Sequence, residues 1–311
     1  MSVVTSLTTE QIASLSTQQI ITITTADIAG LNSDQIGALT TVQASVLSSS
    51  QVGAISTNAV TSLVTADIAA LSTNALGGLS TAQIKALATN QIVALTTNQA
   101  GALSTQQVAS LTTDAIVALE TADFAALKTS AVAALSTNQI RALTTDQIVA
   151  LSTAGANALT TSQVANLSTD AIAALQTADL AALKTGAIAS LSSTQVAALT
   201  TAQVNALTTA TLVALSTANI ANGLTTDQIV AMTSAQFASL STVQIGALST
   251  NSVAAIQTAD IVGISTAGIA ALKSSQIAAL VTDQIATLST NQIVALTTAG
   301  VSGLTTDQVV A

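Results

Sequence analysis

Cysteine, histidine, proline, tryptophan and tyrosine are absent from the 311 residues, and phenylalanine occurs only twice. Without Cys or His, the usual zinc, haem, iron–sulfur and copper sites have no ligands. Nucleophilic triads have no base. No catalytic, cofactor-binding or metal-binding residue is therefore assigned, and an enzyme is not expected. Five basic residues against fourteen acidic ones leave a formal charge of −9. So few cations cannot build a phosphate-binding face, and two Phe offer almost no stacking surface, so nucleic acid is not an expected partner. No apolar run approaches the roughly 18 residues of a membrane span. The start, Met1-Ser2-Val3-Val4-Thr5-Ser6, has no basic n-region and no long apolar stretch, so a classical signal peptide is not expected. The lack of Cys leaves the redox compartment unreported.

What is present is one octapeptide, repeated. Leu7, Leu15, Ile23, Leu31 and Leu39 open an eight-residue series that runs unbroken to Leu215, which is 27 octads. One extra residue enters at Asn222-Gly223, and 11 more octads run from Leu224 to the end. The expected organisation is a single array of 38 octads over residues 1–311, with no second domain. The consensus is Leu-Ser/Thr-Thr-x-Gln-Ile/Val-x-Ala. Position 1 departs from Leu only at Ile23, Ile55, Met232, Ile256 and Ile264, and position 3 is always Thr or Ser. Position 6 is always apolar, position 8 is nearly always small, and every charge falls at position 2, 4, 5 or 7. Positions 1, 3, 6 and 8 therefore read as inside, and 2, 4, 5 and 7 as outside. A slower period lies on top: Asp67, Asp123 and Asp179 replace the position-5 Gln at 56-residue spacing, as duplication of a seven-octad block would leave them.

A continuous helix fails on arithmetic. Eight residues turn about 800°, so Leu would drift about 80° around the helix with each repeat and no apolar stripe would survive. The chain must bend in every octad. The bend reads as a helix start, because Ser/Thr at position 2 and Gln at position 5 match a capping box, as in Thr144-Thr145-Asp146-Gln147. Position 3, here Thr145, is the alternative cap. The expected fold is all-α, a solenoid with one short helix per octad. Such a helix persists only by stacking on its neighbours. The alternative is a β-solenoid, since the inside/outside pattern alternates through positions 1–4 and again through 5–8, and Thr, Ile and Val suit strands. One blemish weighs on the helical reading: outside position 5 falls between inside positions 8 and 1 on the helix wheel.

The octad Leu-Thr-Thr-Asp-Gln-Ile-Val-Ala, at 143–150 and again at 224–231, resembles the Thr/Ala/Gln-rich octapeptide arrays of large exported or surface proteins of proteobacteria. That resemblance implies secretion and a surface or matrix role. Some such arrays carry a haem label, but Met1 and Met232 alone cannot make a haem site. The octad also resembles the first helix of the DNA-binding repeats of transcription-activator-like effectors. Their second helix, base-reading loop and basic residues are missing here.

The first and last octads are both near-consensus, so both ends of the array are expected to present core Leu, Ile and Val. Either the chain is cut from a longer array, or the ends stack on each other, and heterologous stacking of such ends yields an open filament. The functional expectation is a structural protein, the subunit of an extracellular filament or surface fibre, with further copies of itself as partner. It would be exported without a classical leader and would take no small-molecule substrate. The alternatives are a passive stalk or scaffold within a larger surface adhesin, and an ice-binding protein using ranked Thr and Ala. The densest set of titratable groups is Asp114, Glu120 and Asp123 with Lys128 nearby, and it reads as a surface ion pair.

Overall fold

The computed structural model describes residues 4–311. Residues 1–3, Met1 among them, lie outside the described residues, and with them the start of the Met1–Ser6 segment in which no classical leader is expected. After a 3-10 turn at Val4–Ser6 come 38 α-helices, from Thr9–Ala13 to Thr306–Val310, and no strand occurs among the described residues. The fold is the all-α solenoid, one helix per octad, and the β alternative is overturned.

Each octad folds in the same way, and the octad of residues 199–206 serves as the example. Leu199 and Thr200 are both extended, at φ −60°, ψ 137° and φ −71°, ψ 157°. These two residues turn the chain. Thr200 is the N-cap: its Oγ1 accepts the Gln203 N–H at 3.1 Å, and Gln203 Oε1 accepts the Thr200 N–H at 2.7 Å. The reciprocal pair satisfies two donors at the start of helix Thr201–Ala206. Leu207 then ends the helix, its N–H reaching back to the Val204 carbonyl at 3.2 Å. No described residue has a positive φ. The helices stop on an extended Leu-Thr pair rather than on a left-handed glycine, which is why so Gly-poor a chain can end 38 of them.

The chain forms two compact units, Met1–Ala158 and Leu159–Ala311. In each, a helix packs against the third helix along the chain: Thr41–Ser45 on Thr65–Ala70 in the first unit, Thr201–Ala206 on Thr226–Ala231 in the second. Side-chain bonds between successive turns reach back 26 to 31 residues in the first unit and 25 to 32 in the second. A turn therefore takes three to four octads.

The core of each unit is a ladder of position-1 Leu and position-6 Ile, Val, Leu or Phe, Phe124 and Phe237 among them. Position 8 is small because backbone lies directly against it. A Cβ on Gly78 would stand 2.1 Å from the Ser49 carbonyl oxygen. Two positions correct the sequence reading. Position 3 is the first helical residue and is mostly exposed, as at Thr41, Thr145 and Thr201. Position 5, read as outside, is buried, as at Gln43, Gln147 and Gln203. That removes the blemish on the helix wheel, because positions 5, 8 and 1 all face inward.

The extra residue is absorbed within one helix end. The Gly223 and Leu224 N–H groups both donate to the Asn219 carbonyl, at 2.8 and 3.0 Å. The next three octads make their cross-turn bonds one residue further back than elsewhere, so the packing register is kept.

Candidate functional site

The polar feature of this fold is a comb of buried glutamines. Gln203 shows the pattern. Its Oε1 is committed to its own N-cap, so its amide nitrogen points away from its helix and across to the preceding turn. There Nε2 donates to the carbonyls of Ile172 at 2.9 Å and Leu175 at 2.6 Å. Those two residues end the preceding helix Thr169–Ala174 and open the turn after it. A helix leaves its last carbonyls without intrahelical donors. Here the Gln of a later helix supplies them, 28 and 31 residues on. The same pair of bonds recurs at Gln139, to Val108 and Leu111, and at Gln308, to Ile277 and Leu280. One side chain thus caps two helices, its own at the N-terminus and another at the C-terminus.

Where position 5 is shorter, the bonding changes. Asn219 Oδ1 accepts from the Ser193 hydroxyl at 3.1 Å, and its Nδ2 donates to the Leu191 carbonyl at 2.8 Å, 28 residues back. Asp67 keeps the first of these bonds, from the Thr41 hydroxyl to Oδ1 at 3.0 Å. Its Oδ2 has no partner, and neither has that of Asp123. Both residues are buried, at 0% and 2% exposure. Burial pushes the Asp67 carboxyl above its ordinary value, partly offset by the Thr41 hydroxyl and the Val64 N–H. Burial raises Asp123 as well. The Thr97 hydroxyl opposes that rise and the charge of Glu120 adds to it.

The cluster singled out in the sequence does not come together as a surface ion pair. Asp114, Glu120 and Lys128 are exposed, whereas Asp123 is in the core. Lys128 Nζ donates to the Ala102 carbonyl at 3.4 Å. Among the described residues no group of three or more acidic side chains is placed to hold a metal ion. No helix among them is long and apolar enough to cross a membrane.

The sequence reading missed the comb because Gln is polar and was placed outside. The signal was there: position 5 is mostly Gln, while positions 4 and 7 vary freely.

A family model for the ALTTAQ repeat matches residues 20–57, 60–97, 84–113, 116–153, 172–209, 205–234, 253–290 and 285–311. The chain belongs to the ALTTAQ repeat family. In this ALTTAQ repeat chain the six named residues occur as Ala198-Leu199-Thr200-Thr201-Ala202-Gln203. Four of them have roles given above: the small position, the core Leu, the N-cap and the bridging Gln. No curated protein matches the chain. A leucine-rich repeat-containing protein, LegL7, from Legionella pneumophila aligns over 82% of this chain and 83% of its own at 14% identity. Its TM-score is 0.20, a superposition too loose to define a shared fold.

Proposed function

We propose that this ALTTAQ repeat protein is a non-catalytic structural scaffold whose solenoid faces stack on further copies, building an extracellular filament or surface fibre. The observation that carries the reading is the complementarity of two faces. On one, Gln11 and Gln19 are exposed, and of their side-chain amides only Oε1 is engaged, each at its own N-cap. Their Nε2 donors have no partner among the described residues. On the other, the carbonyls of Ile285, Leu288, Ile293 and Leu296 stand where the comb delivers its bonds, and no side-chain amide reaches them. The position-6 residues there, Ile293, Val301 and Val309, are 42%, 53% and 70% exposed, against 0% for Ile277 one turn earlier. They line an open cavity of about 460 Å³ together with Leu288, Leu296 and Leu304. Donors on the first face thus meet acceptors on the second. The exposed apolar ladder belongs to the second face alone, because Ile12 and Ile20 on the first are fully buried, contrary to the expectation that both ends present core side chains. Stacked head to tail, a heterologous joint of this kind leaves one free face at each end of the stack, on which further copies can add. Placement outside the cell rests on the likeness of the octad to exported arrays.

Light scattering across a concentration series tests the reading. The mass is expected to grow with concentration, and Val301→Asp, which buries a charge in the joint, is expected to hold the chain at monomer mass. A wild-type mass of one chain at every concentration would overturn it and leave the stalk role in its place.

A further inference from the structure

The two orphaned carboxylate oxygens lie in a slot whose chemistry the rest of the array defines. At Asn219, a side chain of the same length, Oδ1 accepts from a hydroxyl 26 residues back and Nδ2 donates to a carbonyl 28 residues back. Asp67 makes the first bond through Oδ1, with Thr41 in the place of Ser193. By analogy with Asn219, Oδ2 corresponds to the donating Nδ2, and the carbonyl 28 residues back is that of Leu39. The equivalent carbonyl for Asp123 is that of Leu95. Neither carbonyl receives a side-chain donor, and Oδ2 of neither acid has a partner. An ionised carboxylate sets two acceptors against each other in a site closed to water, which is costly for a buried polar group. A proton on Oδ2 turns one acceptor into a donor and repairs the site.

We propose that Asp67 and Asp123 are proton-operated latches: protonated, each donates from Oδ2 to the carbonyl of Leu39 or Leu95 and ties two successive turns of the first unit. Ionised, each loses that bond and loosens the same turns. The surroundings leave the proton as the means of neutralisation. Helices Thr41–Ser45 and Thr89–Val93, which pack on the Asp67 helix, carry no charged residue, and neither does the rest of helix Thr65–Ala70. Around Asp123, helix Thr97–Ala102 is uncharged, helix Thr145–Val149 brings only the exposed Asp146, and the preceding N-cap is Glu120. The nearest cation along the chain, Lys128, is exposed and directs Nζ to the Ala102 carbonyl at the end of helix Thr97–Ala102, and the influences on either carboxyl include no cation. The spacing of 56 residues is twice the 28-residue reach of the bridge, so the two latches lie two turns apart.

The folded chain holds these protons more tightly than the unfolded one. The latch's stability is therefore complete below the ordinary carboxylate value of 3.8 and is lost as pH rises through the higher folded value. Each latch changes the unfolding constant by up to about tenfold per pH unit in that window.

The test is the denaturant midpoint of the full chain from acid to mildly alkaline pH, for wild type, D67N/D123N and the control D146N. Asn fits the slot, as Asn219 demonstrates, and it donates at every pH. Wild type and D146N are expected to lose stability as pH rises, with D67N/D123N flatter and more stable than wild type at the alkaline end. Infrared spectra of the folded wild type should show a protonated-carboxyl band that bleaches with pH and is missing in D67N/D123N. Equal pH slopes for wild type and the double variant, or no such band, would overturn the proposal.

Discussion

Gln203 makes three cross-capping bonds from a site with no water access, and each lost partner leaves a buried group exposed to the full cost of desolvation. Gln203→Ala is expected to destabilise by about 2–4 kcal/mol, read as a lower denaturant midpoint, since the Leu175 carbonyl and the Thr200 N–H lose their side-chain partner, the Ile172 carbonyl keeps only the Leu175 N–H, and a cavity opens. A loss under half a kcal/mol would deny the comb its role. The N-cap is worth less. Thr200→Ala should cost about 1 kcal/mol, and Val281→Ser, at an exposed N-cap that lacks a side-chain cap bond, should gain about 0.5–1 kcal/mol. At this scale the sequence was half legible. The capping box announces itself in residue types and spacing alone, as Thr144 and Gln147 do. The fate of the amide nitrogen does not, because its acceptors lie 28 and 31 residues away and depend on how many octads make a turn. Polarity then argued Gln outward, and the Asp residues at the same position went with it.

Helices of four to six residues have no stability of their own, and each is held by its caps and its neighbours a turn away. Glycine shows how close those neighbours are. Gly77 and Gly78 are adjacent, yet a Cβ on Gly77 meets nothing within 4 Å while one on Gly78 enters the Ser49 backbone. Gly77→Ala should therefore stabilise by about 0.5–1 kcal/mol and Gly78→Ala should destabilise by about 1–3 kcal/mol, with thermal unfolding as the readout. The opposite signs come from two sites one residue apart, so a general propensity effect is excluded. At the inserted residue, a Cβ on Gly223 would press on the Asn219 carbonyl at 2.6 Å and on Val196. The octad period made the helices themselves legible, since no continuous helix or heptad accommodates it. It could not reveal that the bend needs only an extended Leu-Thr pair, because nothing in the residue types distinguishes that from a strand start.

At the scale of the molecule, identical octads produce identical interfaces, so what one turn offers the next must accept. The interior satisfies this by the Gln comb and the Leu and Ile ladders, and the faces at Gln11/Gln19 and at Val301/Val309 carry the two unmatched halves. The repeat and the class of fold were open to reading from the sequence. The pairing of donors with acceptors across the two faces was not, because it follows from which side of a turn each atom occupies. Stacking of copies is the central claim, and negative-stain electron microscopy across a concentration series tests it most directly. Uniform unbranched fibres that lengthen with concentration, and that vanish in Val301→Asp, are the outcome the account requires. Separate particles of one size at every concentration would contradict it.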